Sequence, residues 1–196
     1  MTRIKGQLTT ADYLTKEDFD RLMAGLHTDG YYVWELFCRL AFCAALRASD
    51  VLSLRWKDIL DVDCIGKLER KTQKGRQIKL NASVRSKLSE LYNLLGSPDR
   101  ELPVVCNPKT KKPYSLEYIN RLLKTFSVRY RLHVKAFSTH TFRKTFGRYV
   151  YENANKSAES LILLNTIFRH TSIEITKRYI GIRQDEINEI FNSIKF

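Results

Sequence analysis

The residues from Tyr31 to Leu46 form the longest apolar run in the chain, broken only by Glu35 and Arg39. It is too short and too interrupted for a membrane span. It is apolar on most faces, so the spacing predicts a helix buried at the centre of a domain and wrapped by other elements. Everything else must be arranged around that rod.

The surrounding periodicity supplies the wrapping. Thr15-Lys16-Glu17-Asp18 reads as a helix start, followed by Phe19, Leu22, Met23 and Leu26 at helical spacing. Ser49 or Asp50 can cap a short helix running to about Trp56. Residues 63–71 and 76–80 flank Thr72-Gln73-Lys74-Gly75, a polar turn that predicts a β-hairpin. A helix carrying Val84, Leu88, Leu91 and Leu95 stops at Gly96-Ser97-Pro98, and residues 102–106 read as a short extended piece. Ser115 caps a helix with Leu116, Ile119, Leu122, Leu123 and Phe126. Ser138 or Thr139 starts another, with Phe142, Phe146, Tyr149 and Val150 facing inward. Helices over about 157–168 and 172–179 follow, then a last one with Ile187, Ile190, Phe191 and Ile194 on one stripe. The expected fold is mainly α with a small antiparallel hairpin. Residues 1–14 read as an arm or linker, 15–182 as one domain, and 183–196 as a C-terminal helix.

Charge narrows the partner. Lys and Arg number 34 against 21 Asp and Glu, a net charge of +13 over 196 residues. Such a field opposes compaction and favours nucleic acid as a partner. The sequence carries no lipidation signal and no basic amphipathic anchor, so no membrane association is expected. The polar N-terminus lacks a signal-peptide core, which makes the cytoplasm the expected compartment. Cys38, Cys43, Cys64 and Cys106 show no C-x-x-C spacing and read as reduced structural thiols.

Five side chains carry potential chemistry: Arg47, His140 and Arg143, and the pair His170 and Tyr179. Singly, each has a bland reading. Arg47 sits at a turn between helices, where it can pair with Asp50 or Asp58 or present its fork to two phosphate oxygens. His140 and Arg143 share one face of a helix start, whose backbone N–H groups also favour an anion. Taken together, two arginines, two histidines and a late tyrosine can hold a phosphodiester and attack it.

The order of these residues resembles the tyrosine recombinase, or phage integrase, family over residues 13–182. Residues 45–59, with Arg47, resemble the family's first arginine block. Lys71-Thr72-Gln73-Lys74-Gly75-Arg76 resembles its β-hairpin lysine block. His140-Thr141-Phe142-Arg143-Lys144 and the run from His170 to Tyr179 resemble the other two. Four departures are visible. Phe168-Arg169 stands where Leu-Gly is usual, Ala45 where glycine is frequent, Asp50 where glutamate is frequent, and Lys144 where histidine is common. The short front end is similar to that of the fimbrial phase-variation invertases, which are little more than a catalytic domain.

The resemblance implies an integrase-like catalytic domain and a prokaryotic, nucleoid-associated enzyme acting on double-stranded DNA. Tyr179 would be the nucleophile forming a 3′-phosphotyrosyl bond, and Arg47, Arg143 and His170 would hold the phosphate. Lys71 would be the general acid, with Lys74 the competing assignment, and His140 would take or orient a proton. Lys74, Arg76 and Lys144 would contact DNA, together with Lys79, Arg121, Lys124 and Arg148. Neither metal nor other cofactor is expected, and the working assembly would be a homo-oligomer on DNA, a tetrameric synapse. Two other functions fit parts of the pattern: a DNA-binding module without strand transfer, and a type IB topoisomerase.

Overall fold

The structure, a computed structural model, describes residues 12–68, 75–182 and 191–194, with the side chains of residues 67, 68, 75 and 76 excepted. Its elements are α1 (Lys16–Thr28), α2 (Tyr32–Cys43), α3 (Ala48–Leu52), a 3-10 turn at Trp56–Asp58, β1 (Cys64–Leu68), β2 (Gly75–Lys79), α4 (Ala82–Leu94), α5 (Leu116–Arg129), α6 (Thr139–Asn153), α7 (Ala158–Phe168) and α8 (Ile173–Ile180). Among the described residues, no helix is long and apolar enough to cross a membrane.

α2 is the buried rod, packed by α1, α3, α4 and α6. Leu36, Phe37, Cys38, Leu40 and Ala41 are fully buried along it. Its one buried carboxylate, Glu35, is satisfied by His27 Nδ1 at 2.8 Å and Arg39 Nε at 2.7 Å, as burial of a charge requires. The helix ends three residues earlier than the apolar pattern predicts. Ala45 takes a left-handed φ of 47°, which swings the chain out of the helix while Leu46 stays buried.

The third helix also differs from expectation. It ends at Leu52, and Arg47 occupies the cap position with no side-chain cap bond. Asp50 is inside it and buried. Trp56 instead joins a tie to the 99–103 segment, where its N–H donates to Leu102 O at 3.2 Å.

The hairpin is antiparallel, pairing Cys64 with Lys79 and Leu68 with Gly75. Ile65 and Ile78 face each other in that register and are both buried, which anchors the strands on the core. The 102–106 piece contributes isolated bridges, Arg55 to Pro103 and Cys106 to Pro113. The C-terminal residues 183–190, including Ile187 and Ile190, lie outside the described residues. Phe191 and Ile194 are exposed.

Two apolar cores result. The larger surrounds α2 and takes in α1, α4, α5, Trp56 and Phe142 of α6. The smaller joins Ala45, Tyr151, Leu161, Leu164, Phe168 and Ile180, with Phe146, Val150 and Tyr179 packed against it. Tyr149, expected inward, is half exposed on the other side of α6. Thus α6 belongs to both cores, and the charged residues of interest line the join.

Candidate active site

Arg143 is the hub. It sits on α6, 3% exposed, and its guanidinium is held by residues of the smaller core. One nitrogen donates to Ala45 O and another to Phe168 O, the latter at 3.0 Å. The plane also lies over the Phe168 ring, 4.7 Å from its centroid. The planar fork fixes the turn after α2 relative to the turn after α7, which a flexible ammonium would not do.

Both turns use left-handed backbone at a non-glycine residue: Ala45, and Arg169 with φ 53°. These are the two places where the family pattern favours glycine. Arg169 adopts the left-handed geometry without being glycine, as the αL cap of α7. That geometry leaves the preceding carbonyl of Phe168 aimed at Arg143.

The other members gather around it. Arg47 follows the Ala45 turn, and its charge acts on His140, His170 and Tyr179. The charge of Arg143 also acts on Tyr179, and both side chains contact the Phe168 ring. The His170 and Tyr179 rings meet edge to face with centroids 5.0 Å apart, and Phe168 touches both. Arg47, His140, Arg143, His170 and Tyr179 therefore share one neighbourhood, although they are spread over more than 130 positions of sequence. Lys71 and Lys74 lie outside the described residues, between the two strands, and the side chain of Arg76 does as well.

Electrostatics in this cluster is governed by burial and by the two guanidinium groups. Burial raises the Tyr179 phenol above its ordinary 10.0, while Arg143 and Arg47 pull it back. Burial, then Arg143 and Arg47, lower His170 to about 4. Burial, then Arg143, Lys144 and Arg47, lower His140, although the residue as a whole remains exposed. At neutral pH both imidazoles are neutral donors or acceptors, and the positive charge comes from the arginines.

A second layer escaped the sequence reading. Thr176, fully buried on α8, has its hydroxyl 3.1 Å from Asn165 Nδ2 and 3.0 Å from His170 Nδ1. The hydroxyl accepts from Asn165; when it also gives its own hydrogen to Nδ1, the imidazole proton sits on Nε2. The pair holds the imidazole by its Nδ1 side. Nothing in the spacing of Asn165 and Thr176 singles them out, since a buried polar pair announces itself only once the helices are packed.

Three expectations meet a different environment. The first N–H groups of α6 are already in use: Thr139 donates to Asn120 Oδ1 at 2.9 Å and His140 to Ser138 Oγ at 3.3 Å. Lys144, expected along a duplex, is 7% exposed with its ammonium 5.2 Å from the Tyr179 ring centroid. Arg148 is equally buried, ion-paired to Glu152 and stacked over Tyr13. Lys79, Arg121 and Lys124 do lie exposed.

The helix that carries Tyr179 owes its seat to one missing side chain. Gly147 on α6 lets α7 and α8 close in, with Ile180 and Phe168 occupying the space of its absent Cβ. α8 starts at Ser172, whose hydroxyl accepts from Ile175 N–H at 3.3 Å, and ends at Gly181 with φ 75°.

Comparison with known proteins agrees with this arrangement. The model of the phage integrase family matches residues 12–186. A probable integrase/recombinase of Bacillus subtilis (strain 168), YoeC, is 34% identical over 142 residues, which is 72% of this chain and 74% of YoeC. Among solved structures, XerA recombinase superposes with a TM-score of 0.73 at 17% identity, over 96% of this chain and 68% of XerA. XerH site-specific recombinase bound to palindromic difH substrate in a post-cleavage complex gives 0.69 at 17% identity, over 94% of this chain and 54% of XerH. The catalytic domain of bacteriophage HP1 integrase gives 0.57 at 18% identity, and 93% of this chain covers 95% of that domain. This chain spans about half of XerH and about two-thirds of XerA, and the shared part is the catalytic fold. The chain belongs to the phage integrase family, as a tyrosine recombinase catalytic domain of the kind that carries out site-specific recombination of DNA.

Proposed function

We propose that the protein cleaves and rejoins double-stranded DNA through a covalent 3′-phosphotyrosyl intermediate formed by Tyr179. The observation that supports this reading is the packing of Tyr179 against His170 and against the Phe168 ring on which Arg143 lies, with centroids 5.0 and 5.2 Å from the tyrosine ring. A phosphodiester between the Arg47 and Arg143 guanidinium groups would have its non-bridging oxygens neutralised where charge accumulates in the transition state. The same two charges oppose the effect of burial on the phenol, so a bound phosphate and the phenolate share one electrostatic remedy.

In this reading the Tyr179 oxygen attacks the phosphorus in line. The new Oη–P bond forms as the P–O5′ bond breaks, and the leaving oxygen takes a proton to become a 5′-hydroxyl. Lys71, on the hairpin connection, is the assigned proton donor. Neutral His170, held through Nδ1, donates from Nε2 to a phosphate oxygen, and His140 accepts or orients the tyrosine proton. A 5′-hydroxyl from a partner duplex then reverses the step, conserving the ester energy without ATP. No step is routed through a metal. The partner duplex implies a multimeric synapse of this chain on DNA.

The test is a nicked suicide duplex library carrying candidate sites. The expected result is a gel-stable protein–DNA adduct that disappears in Tyr179→Phe and in Arg143→Ala. Adducts accompanied by plasmid relaxation, with no strand exchange, would replace recombination by topoisomerase action. Tight binding with no adduct on any duplex that the protein selects would leave a binding module.

A further inference from the structure

An ammonium is costly to bury, and Lys144 is 7% exposed. Burial lowers its pKa from 10.5, and the Asp12 carboxylate opposes the shift. Its Nζ is seated over the Tyr179 ring, 5.2 Å from the centroid, within the range of a cation–π contact. The same ring packs against Phe168 and His170, with centroids 5.2 and 5.0 Å away. The ring is thus held between the Lys144 ammonium and two further rings.

We infer that Lys144 is a positioning residue for the nucleophile, holding the Tyr179 ring by its face and stabilising the negative charge that the ring acquires when the hydroxyl gives up its proton. The inference rests on the reading of Tyr179 as the nucleophile. Its physical basis is a difference between two states. A neutral phenol offers the cation only a quadrupole, whereas a phenolate spreads a full charge into the ring beneath it. The arginines act on the oxygen itself; Lys144 acts through the ring.

The charged and titratable groups around this contact come from every neighbouring element. α6 supplies Arg143 and Lys144, the turn before α3 supplies Arg47, the α7–α8 turn supplies His170, and Asp12 faces Lys144 from the N-terminal segment. His140 faces Arg143, Lys144 and Arg47. A histidine, the residue common at this position in the family, would tend towards neutrality in surroundings that depress both imidazoles of the site. Lysine brings a charge.

The experiment compares the full chain with Lys144→Met and Lys144→Arg by two readouts. The first is the rate at which N-acetylimidazole modifies Tyr179 between pH 7 and 9, followed by peptide mass spectrometry, with half-exposed Tyr149 as the internal reference. The second is the rate of adduct formation on the suicide duplex. Lys144→Met is expected to slow both about tenfold at a given pH, displacing the modification profile upward by roughly one unit, while Tyr149 is unchanged. Lys144→Arg is expected to restore most of each rate. Wild-type adduct with identical Tyr179 profiles in wild type and Lys144→Met overturns the role of Lys144 alone, as does an arginine variant no better than methionine. A wild-type chain that never forms a Tyr179-dependent adduct overturns the nucleophile, whatever the profiles do.

Discussion

Gly147 and Ile180 touch so closely that a Cβ on the glycine would lie 2.6 Å from Ile180 Cγ2, and 2.9 Å from the Phe168 ring. Ile180 follows the proposed nucleophile, so the contact sets how deeply α8 sits. Gly147→Ala is expected to push α8 outward, costing about 1–3 kcal/mol of stability through overpacking. Adduct formation should fall by more than tenfold even at temperatures where the fold survives. Thermal melts and suicide-duplex rates on the same preparation check both halves.

Arg143→Lys tests the fork. The lysine keeps the charge but cannot bridge Ala45 O and Phe168 O with a planar fork. Leaving a buried carbonyl unpaired costs about 1–3 kcal/mol. The variant should therefore be both less stable in urea and at least ~100-fold slower in cleavage, a loss on the scale of one removed oxyanion donor.

His170 makes stability depend on pH. Its folded pKa of about 4 lies below the ordinary 6.5, so the unfolded chain binds the proton first on acidification. Its contribution is complete above about pH 6.5 and is lost as pH falls through about 4. After a discount for the partly solvated ring, the loss is about 1–2 kcal/mol. His170→Gln should flatten the pH dependence of urea midpoints across that window. Thr176→Val, which removes the partner of Nδ1, should slow cleavage severalfold and disturb the imidazole signals in an NMR titration.

Arg169→Gly addresses the turn. A left-handed residue other than glycine costs roughly 1 kcal/mol, and Arg169 holds φ 53°. The glycine variant is expected to raise the unfolding free energy by about 0.5–1 kcal/mol with cleavage intact, measured by denaturant titration.

Much of this molecule could be read from its residues. The rod α2, the helices over 116–129, 139–153 and 158–168, and the hairpin all follow from periodicity and turn chemistry, because each pattern is local. So is the block order that brings Arg47, Arg143 and Tyr179 together by family resemblance. What escaped depends on packing. Ala45 ends α2 early because its carbonyl is claimed by an arginine 98 residues away. Thr176 and Asn165 look like ordinary helix-surface polars until α7 and α8 meet. Lys144 reads as one more surface charge in a basic chain, and only the fold puts it against an aromatic face. Tyr149, by contrast, fits the apolar stripe of α6 but lies beyond the edge of the core.

The helix that bears Tyr179 is eight residues long, shorter than any helix that persists alone in water. Its shape is sustained by the smaller core and by the Ser172 and Gly181 caps. Arg47, in contrast, is carried by the end of the deeply buried rod. A fluctuation that parts the two cores would therefore separate Tyr179 from Arg47 long before the chain unfolds. On the proposed function, readiness to cut and integrity of the fold are separable quantities, and amide exchange along 173–180 is the place where the first can be read without the second.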